Sequence, residues 1–147
     1  MRILAICGPI GAPVIEFARQ FPDALILNEA DYLNEDGSVN FEQIHNNPAK
    51  FVVLVGHLPF SHDKLRSLCD VKVFIETPGD SCLSGLLKGV SLDEVPQRID
   101  SYLAEVKPRN EKVINPLYKY ADLVVAHDKI AGPAVHLIST AFIYQEE

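Results

Sequence analysis

No tryptophan occurs among the 147 residues, methionine occurs once, and cysteine only three times, at Cys7, Cys69 and Cys82. An odd number of widely spaced thiols supports neither a disulfide framework nor a zinc knuckle, so three reduced and buried thiols are expected. Positive charge is also scarce: 13 Lys and Arg face 20 Asp and Glu, a formal net charge of −7. Nucleic acids and anionic membranes are held through clustered Lys and Arg. No such cluster stands in the sequence, and neither class is expected as a partner. Two further absences are an apolar run of membrane-spanning length and the charged, apolar and cleavage regions of a signal peptide. A cytoplasmic location is therefore the expectation. The histidines, His45, His57, His62, His127 and His136, show no His-x-His or His-x-x-x-His spacing, and no metal site is expected.

What is present is apolar residues, 48% of the chain, enough for one core and a single domain over residues 1–147. Short apolar runs at Arg2–Cys7, Ala24–Asn28, Phe51–Gly56, Val71–Thr77 and Asp122–His127 alternate with stretches of helical spacing. That alternation predicts an α/β fold, a parallel sheet with helices on both faces. A last apolar run, Ala134–Tyr144, is rich in β-formers and is expected to add an edge or final strand.

Asn34–Ile44 looks at first like half of a calcium loop, with Asp36, Gly37, Val39 and Asn40 at suitable places. Its first ligand position would be Tyr32 and its twelfth Gln43, so both essential carboxylates are missing. The same residues read more simply as a turn at Asp36-Gly37 and a helix capped by Asn40, with Phe41 and Ile44 toward the core.

The first strand runs into a turn bearing Gly8 and Gly11, and Val14–Phe21 then has helical spacing. This is the strand, loop, helix frame of a phosphate-binding P-loop, G-x-x-x-x-G-K-[S/T]. Counted from Gly8, Pro13 stands where the second Gly belongs, Val14 where the Lys belongs, and Ile15 where the hydroxyl belongs. Proline has no N–H, valine no charge, and isoleucine nothing to offer a divalent cation. Pro9 deletes a further donor, and Glu16 puts a carboxylate in the first helical turn, where it complements the dipole that would attract phosphate.

Residues Tyr102–Val125, YLAEVKPRNEKVINPLYKYADLVV, resemble the C-terminal part of uridine kinases and their phosphoribulokinase relatives. The resemblance rests on Pro108, Glu111, Pro116, Lys119, Tyr120, Ala121 and Asp122 and extends collinearly over nearly the whole chain. It implies a three-layer, P-loop NTPase-like nucleoside-kinase fold. It also implies roles for particular residues. Glu29, in Glu29-Ala30-Asp31-Tyr32, falls on the Asp that takes the proton from a nucleoside 5′-hydroxyl, with Asp31 next in line should the register slip. Tyr32 and His57 would line the substrate pocket. Val55 falls on an acidic residue ending the third strand, while Cys82, Gly85, Leu86 and Gly89 fall on the arginines of a lid, where Lys88 is the remaining cation. The chain is shorter than the family between Tyr32 and Phe41 and after Leu87.

The losses fall on charged, reacting positions, whereas Leu83, Tyr102, Pro108, Pro116 and Tyr120 are kept. Phosphoryl transfer rests on positioning and on neutralising charge. The expectation is therefore a nucleoside-kinase-like domain without ATP-dependent transfer, a binding or regulatory module with no cofactor, in contact with further copies of itself or another protein. Two alternatives stay open. One is a divergent kinase of nucleosides or small metabolites that uses ATP and Mg, with Glu29 as base and cations drawn from Lys88, Arg98, Lys107 or Arg109. The other is a nucleoside or nucleotide sensor.

Overall fold

The computed structural model describes residues 2–36, 40–57 and 59–144. Five strands, β1 (Arg2–Cys7), β2 (Leu25–Asn28), β3 (Phe51–Gly56), β4 (Val71–Glu76) and β5 (Leu123–Ala126), form one sheet in the order β2-β3-β1-β4-β5. All four pairings are parallel, with Arg2 opposite Phe51, Leu4 opposite Val71, and Val73 opposite Leu123.

Strand periodicity builds the two faces. Ile3, Ala5 and Cys7 of β1 join Val52 and Leu54 of β3 in one buried cluster, while Leu4 and Ile6 join Val53 and Val55 in the other. Because side chains alternate across a strand, a central strand buried on both faces must be apolar along its buried length, as β1 is from Ile3 to Cys7 and β3 from Val52 to Val55.

The first face is covered by Ile44 of α2 (Phe41–His45), Phe60, Leu65 of α3 (Asp63–Leu68) and Leu117. The second is covered by Val14, Phe17 and Ala18 of α1 (Val14–Ala18), and by Ile138 of the C-terminal helix. Asn40 does cap α2, its Oδ1 accepting from the Gln43 N–H at 3.1 Å. Gly37 and Val39 of the weighed calcium loop lie outside the described residues, and among those described no cluster of three His, Cys, Asp or Glu side chains is placed to hold a metal.

Between β4 and β5 run α4 (Gly79–Leu87), α5 (Val95–Ser101) and α6 (Lys107–Arg109), the last flanked by wide π-helical turns at Tyr102–Val106 and Asn110–Ile114. Pro116 lies in the 3-10 segment Asn115–Tyr120 that follows. Asp122 then ties β5 to β4: its Oδ2 accepts from the Lys72 N–H at 2.8 Å, and its own N–H donates to the Lys72 carbonyl at 2.7 Å. The Arg66 guanidinium lies 3.8 Å over the Tyr120 ring. Tyr120 and Asp122 are thus structural.

One expected element is corrected. Ala134–Tyr144 is no strand but belongs to the helix α7 (Pro133–Tyr144). Pro133 suits a first helical position, Gly132 before it turns the chain at φ +73, and Ala134, Val135 and Ile138 pack on the second face at helical spacing. Extended at the sheet edge, this run would leave that face to α1 alone. The bounds of β2, β4 and β5 are each shorter than the sequence reading by one or two residues.

Candidate functional site

The chain leaves β1 outward toward β2, and leaves β3 across β1 toward β4, so the carboxyl ends of β1, β3 and β4 meet where connections diverge. Open α/β sheets bind ligands at such a point. Two cavities lie there. A cleft of about 580 Å³ is lined by Gly11–Glu16, by Val55–His57 and by Ser81, Ser84 and Lys88 among others. A groove of about 640 Å³ is lined by Ile10, Glu29, Leu33, His57, Val106 and Arg109 among others. Ile10 and Gly11 form part of the wall between them, and His57 borders both.

The Gly8–Val14 turn is closed by its own bonds. Ala12 N–H donates to the Pro9 carbonyl at 3.0 Å and Val14 N–H to the Ala12 carbonyl at 2.9 Å. Ile10 N–H donates to Asn110 Oδ1 at 2.8 Å, and Asn110 Nδ2 returns a bond to the Ile10 carbonyl at 3.2 Å. Pro9 and Pro13 have no N–H to give. Gly11 adopts φ +100, and α4 lies directly against it: a methyl group added at Gly11 would stand 2.3 Å from the Cys82 carbonyl oxygen. One added at Gly85 would stand 2.4 Å from the Gly11 oxygen. Both positions require glycine for this approach. Val14 is buried in the core cluster beneath the turn, while Ile15 and Glu16 are exposed at the cleft.

At the end of β2, Asn28 Oδ1 accepts from Ala30 N–H at 3.1 Å and starts the 3-10 turn Glu29–Tyr32. Glu29 is 6% exposed and crosses the end of β3, where a methyl at Gly56 would be 2.9 Å from its Cβ. His62 Nε2 stands 3.9 Å from Glu29 Oε2. His57 Nδ1 lies 3.1 Å from the Gly8 carbonyl, which can only accept, so Nδ1 carries the proton and donates. Burial holds the His57 pKa below its ordinary value, against the bond to Gly8, with the Arg109 charge adding to the effect. The ring is then neutral near pH 7, and Nε2 is an acceptor. Burial likewise lowers His62. Cys7, whose Sγ donates to the His57 carbonyl at 3.2 Å, is raised well above the ordinary thiol range by burial and then by the Glu29 charge. All three thiols are buried and free; burial pushes Cys69 up to about 12 and Cys82 up to about 11.

The residues singled out by sequence divide accordingly. Gly11, Pro13, Val14, Ile15, His57 and Lys88 meet at the cleft, and Glu29 and His57 at the groove. Asp31 is exposed and borders neither; of the two acidic residues expected from the sequence, Glu29 alone lines the groove, together with Glu105 from the helix opposite. Tyr32 packs against the first core cluster, and Leu33 is the neighbour that lines the groove. Of the cations considered, Lys88 borders the cleft and Arg109 the groove; Arg98 and Lys107 border neither. Asn110 went unnoticed in the sequence. Its only signal there was a carboxamide in a stretch of helical spacing, 100 residues from its partner.

The sheet order, the helices on both faces and the turn after β1 define an α/β domain of the P-loop kinase type. The model of the phosphoribulokinase / uridine kinase family matches residues 14–130, and the chain belongs to that family. A uridine kinase of Lactobacillus johnsonii is 33% identical over 133 residues, covering 86% of this chain and 62% of its own length. One from Lactobacillus helveticus is 33% identical over 105 residues, covering 67% of this chain and 48% of its own. The chain thus spans about half to three-fifths of these curated relatives. A shikimate kinase structure from Acinetobacter baumannii superposes with a TM-score of 0.52 at 14% identity, covering 97% of this chain and 91% of that one, a likeness of fold. The family match begins at Val14, so Gly8–Pro13 lies outside it. Among the described residues no helix is long and apolar enough to cross a membrane.

Proposed function

We propose that this chain is a uridine-kinase-like P-loop domain that does not carry out ATP-dependent phosphoryl transfer and serves as a binding or regulatory module. The observation that carries the reading is the commitment of the turn's amides: Ile10, Ala12 and Val14 donate within the protein, and Pro9 and Pro13 have nothing to donate. The residues present do not fit a magnesium triphosphate. Val14 is buried where an ammonium is needed, Ile15 has no oxygen for the cation, and the cleft that Lys88 borders is also lined by the Glu16 carboxylate. Charge-assisted hydrogen bonds contribute about 1.5–3 kcal/mol each, so losing the lysine and two amides removes roughly 4.5–9 kcal/mol of triphosphate binding. That is about a thousandfold or more in affinity.

Calorimetry with Mg-ATP and transfer of labelled phosphate across a nucleoside panel test the reading. Affinity weaker than millimolar and no transfer are expected. Micromolar Mg-ATP binding, or transfer that disappears in Glu29→Gln, would refute it.

A second reading is favoured by the groove, where Glu29 and His57 stand together as hydrogen-bond acceptors beside the Arg109 cation. In it the domain binds a nucleoside without ATP. Titration with uridine and cytidine separates the two readings: heat with either supports the second, and flat titrations remove it. The active-kinase alternative, with ATP and Mg, stands or falls with the transfer assay.

A further inference from the structure

Tyr102 and Asn110 are eight residues apart, which in a regular α-helix leaves their side chains about 80° apart around the axis. Here wide π-turns start at each of them, and both are buried, at 4% exposure. Each then makes a bond outside its own helix. The Tyr102 hydroxyl donates to the Gly79 carbonyl at the start of α4, at 2.7 Å. Asn110 makes its two bonds to Ile10, the residue before the glycine on which α4 rests. One helix therefore holds both α4 and the turn that α4 covers. Between them the glycine pair leaves no room: α4 meets Gly11 through its own backbone at Cys82, and through Gly85. Cys82 is 1% exposed, and its Sγ lies 3.7 Å from the Thr77 carbonyl.

We infer that α4 is a lid pinned shut from inside the protein, with Asn110 and Tyr102 as the pins and the Gly11–Gly85 contact as the seat. The two pins hold different partners from the same helix, so freeing either loosens α4 from the turn without breaking the sheet. This places a conformational control over the cleft: Gly85, Ser81 and Ser84 of the lid form one of its walls, and Gly11–Glu16 another. The Asn110 pin also sits beside the groove, because Ile10, Pro108, Arg109 and Lys112 line it. Release at this helix therefore reaches both cavities. The inference rests on the reading that the turn no longer holds a triphosphate, because the Asn110 pin occupies the turn that would receive it.

Cys82 is the natural reporter, lying under the seat, whereas Cys7 and Cys69 lie in the core cluster on the first face of the sheet. The thiolate is the reacting form, and burial suppresses it at all three sites. The experiment labels the 147-residue chain with Ellman's reagent under native conditions and assigns each modified cysteine by mass spectrometry. In Asn110→Ala and in Tyr102→Phe, Cys82 is expected to react at least tenfold faster than in the wild type, with Cys7 and Cys69 unchanged. Unchanged Cys82 rates in both variants overturn the inference. So does an equal acceleration of all three thiols, which reports global unfolding. Should Asn110→Ala not fold, Asn110→Asp keeps the size but puts a charged carboxylate oxygen where Nδ2 donates to the Ile10 carbonyl, which breaks that bond, and it is held to the same outcomes. Micromolar Mg-ATP binding by the wild type would refute the functional proposal through calorimetry, whereas the pins are judged by Cys82 alone.

Discussion

Replacing Gly85 with alanine adds one methyl group at a point 2.4 Å from the Gly11 carbonyl oxygen. The obstacle is backbone on both sides, since the lid is seated on the turn and the turn is held by Asn110, so no side chain can rotate away. Forcing an extra carbon into such a contact costs about 1–3 kcal/mol. Alanine returns about 1 kcal/mol of helix propensity. With nothing soft to yield, the strain falls at the upper end of its range, for a net loss of about 2 kcal/mol. In a chain of this size each kcal/mol moves the melting temperature by about 2–4 °C. Gly85→Ala is therefore expected to melt roughly 4–8 °C lower, measured by circular dichroism. Ser84→Ala, next to it and exposed, is the control and should melt at or slightly above the wild type. A Gly85→Ala protein as stable as Ser84→Ala would refute the placement of α4 on Gly11.

Two other predictions concern the sheet and its ends. Because the folded pKa of His57 is depressed, its contribution to stability is complete above the unfolded value of about 6.5 and is lost as pH falls below it. Urea midpoints of the wild type should therefore drop more between pH 7.5 and pH 5.5 than those of His57→Gln; equal drops would contradict the burial of a neutral ring. Asp122→Ala removes the acceptor of the Lys72 N–H and an ion pair of 3.4 Å to Lys72 Nζ. The aspartate is half exposed, so the cost is about 1 kcal/mol. It should appear as a lower urea midpoint together with faster amide exchange confined to β5 and its border with β4. No change in either would deny Asp122 its tying role.

Most of the architecture was legible in the chain, for a local reason. Ile3 to Cys7 and Val52 to Val55 are apolar without interruption, which marks strands covered on both sides. The resemblance through Lys119–Asp122 supplied the family, and the structure explains why those residues matter: Asp122 bridges β4 and β5, and Tyr120 lies under Arg66. Glu29 and His57 were picked out by position and do meet at one groove. Tyr32, expected at the substrate pocket, packs on the first core cluster because a 3-10 turn sends neighbours in different directions, and Leu33 lines the groove.

Residue order alone determined the apolar runs that became strands, the prolines that remove donors from the first turn, and the missing lysine and hydroxyl at Val14 and Ile15. Each of these is chemistry carried by a residue or its near neighbours. Tertiary structure alone decided the rest. Ala134–Tyr144 packs as a helix beside α1 on one face of the finished sheet, a placement that the β-formers in the run do not express. Asn110 reached Ile10, and Gly85 came to rest on Gly11, because the parallel sheet brings segments up to 100 residues apart into contact. A carboxamide or a glycine becomes informative only when its distant partner is in place.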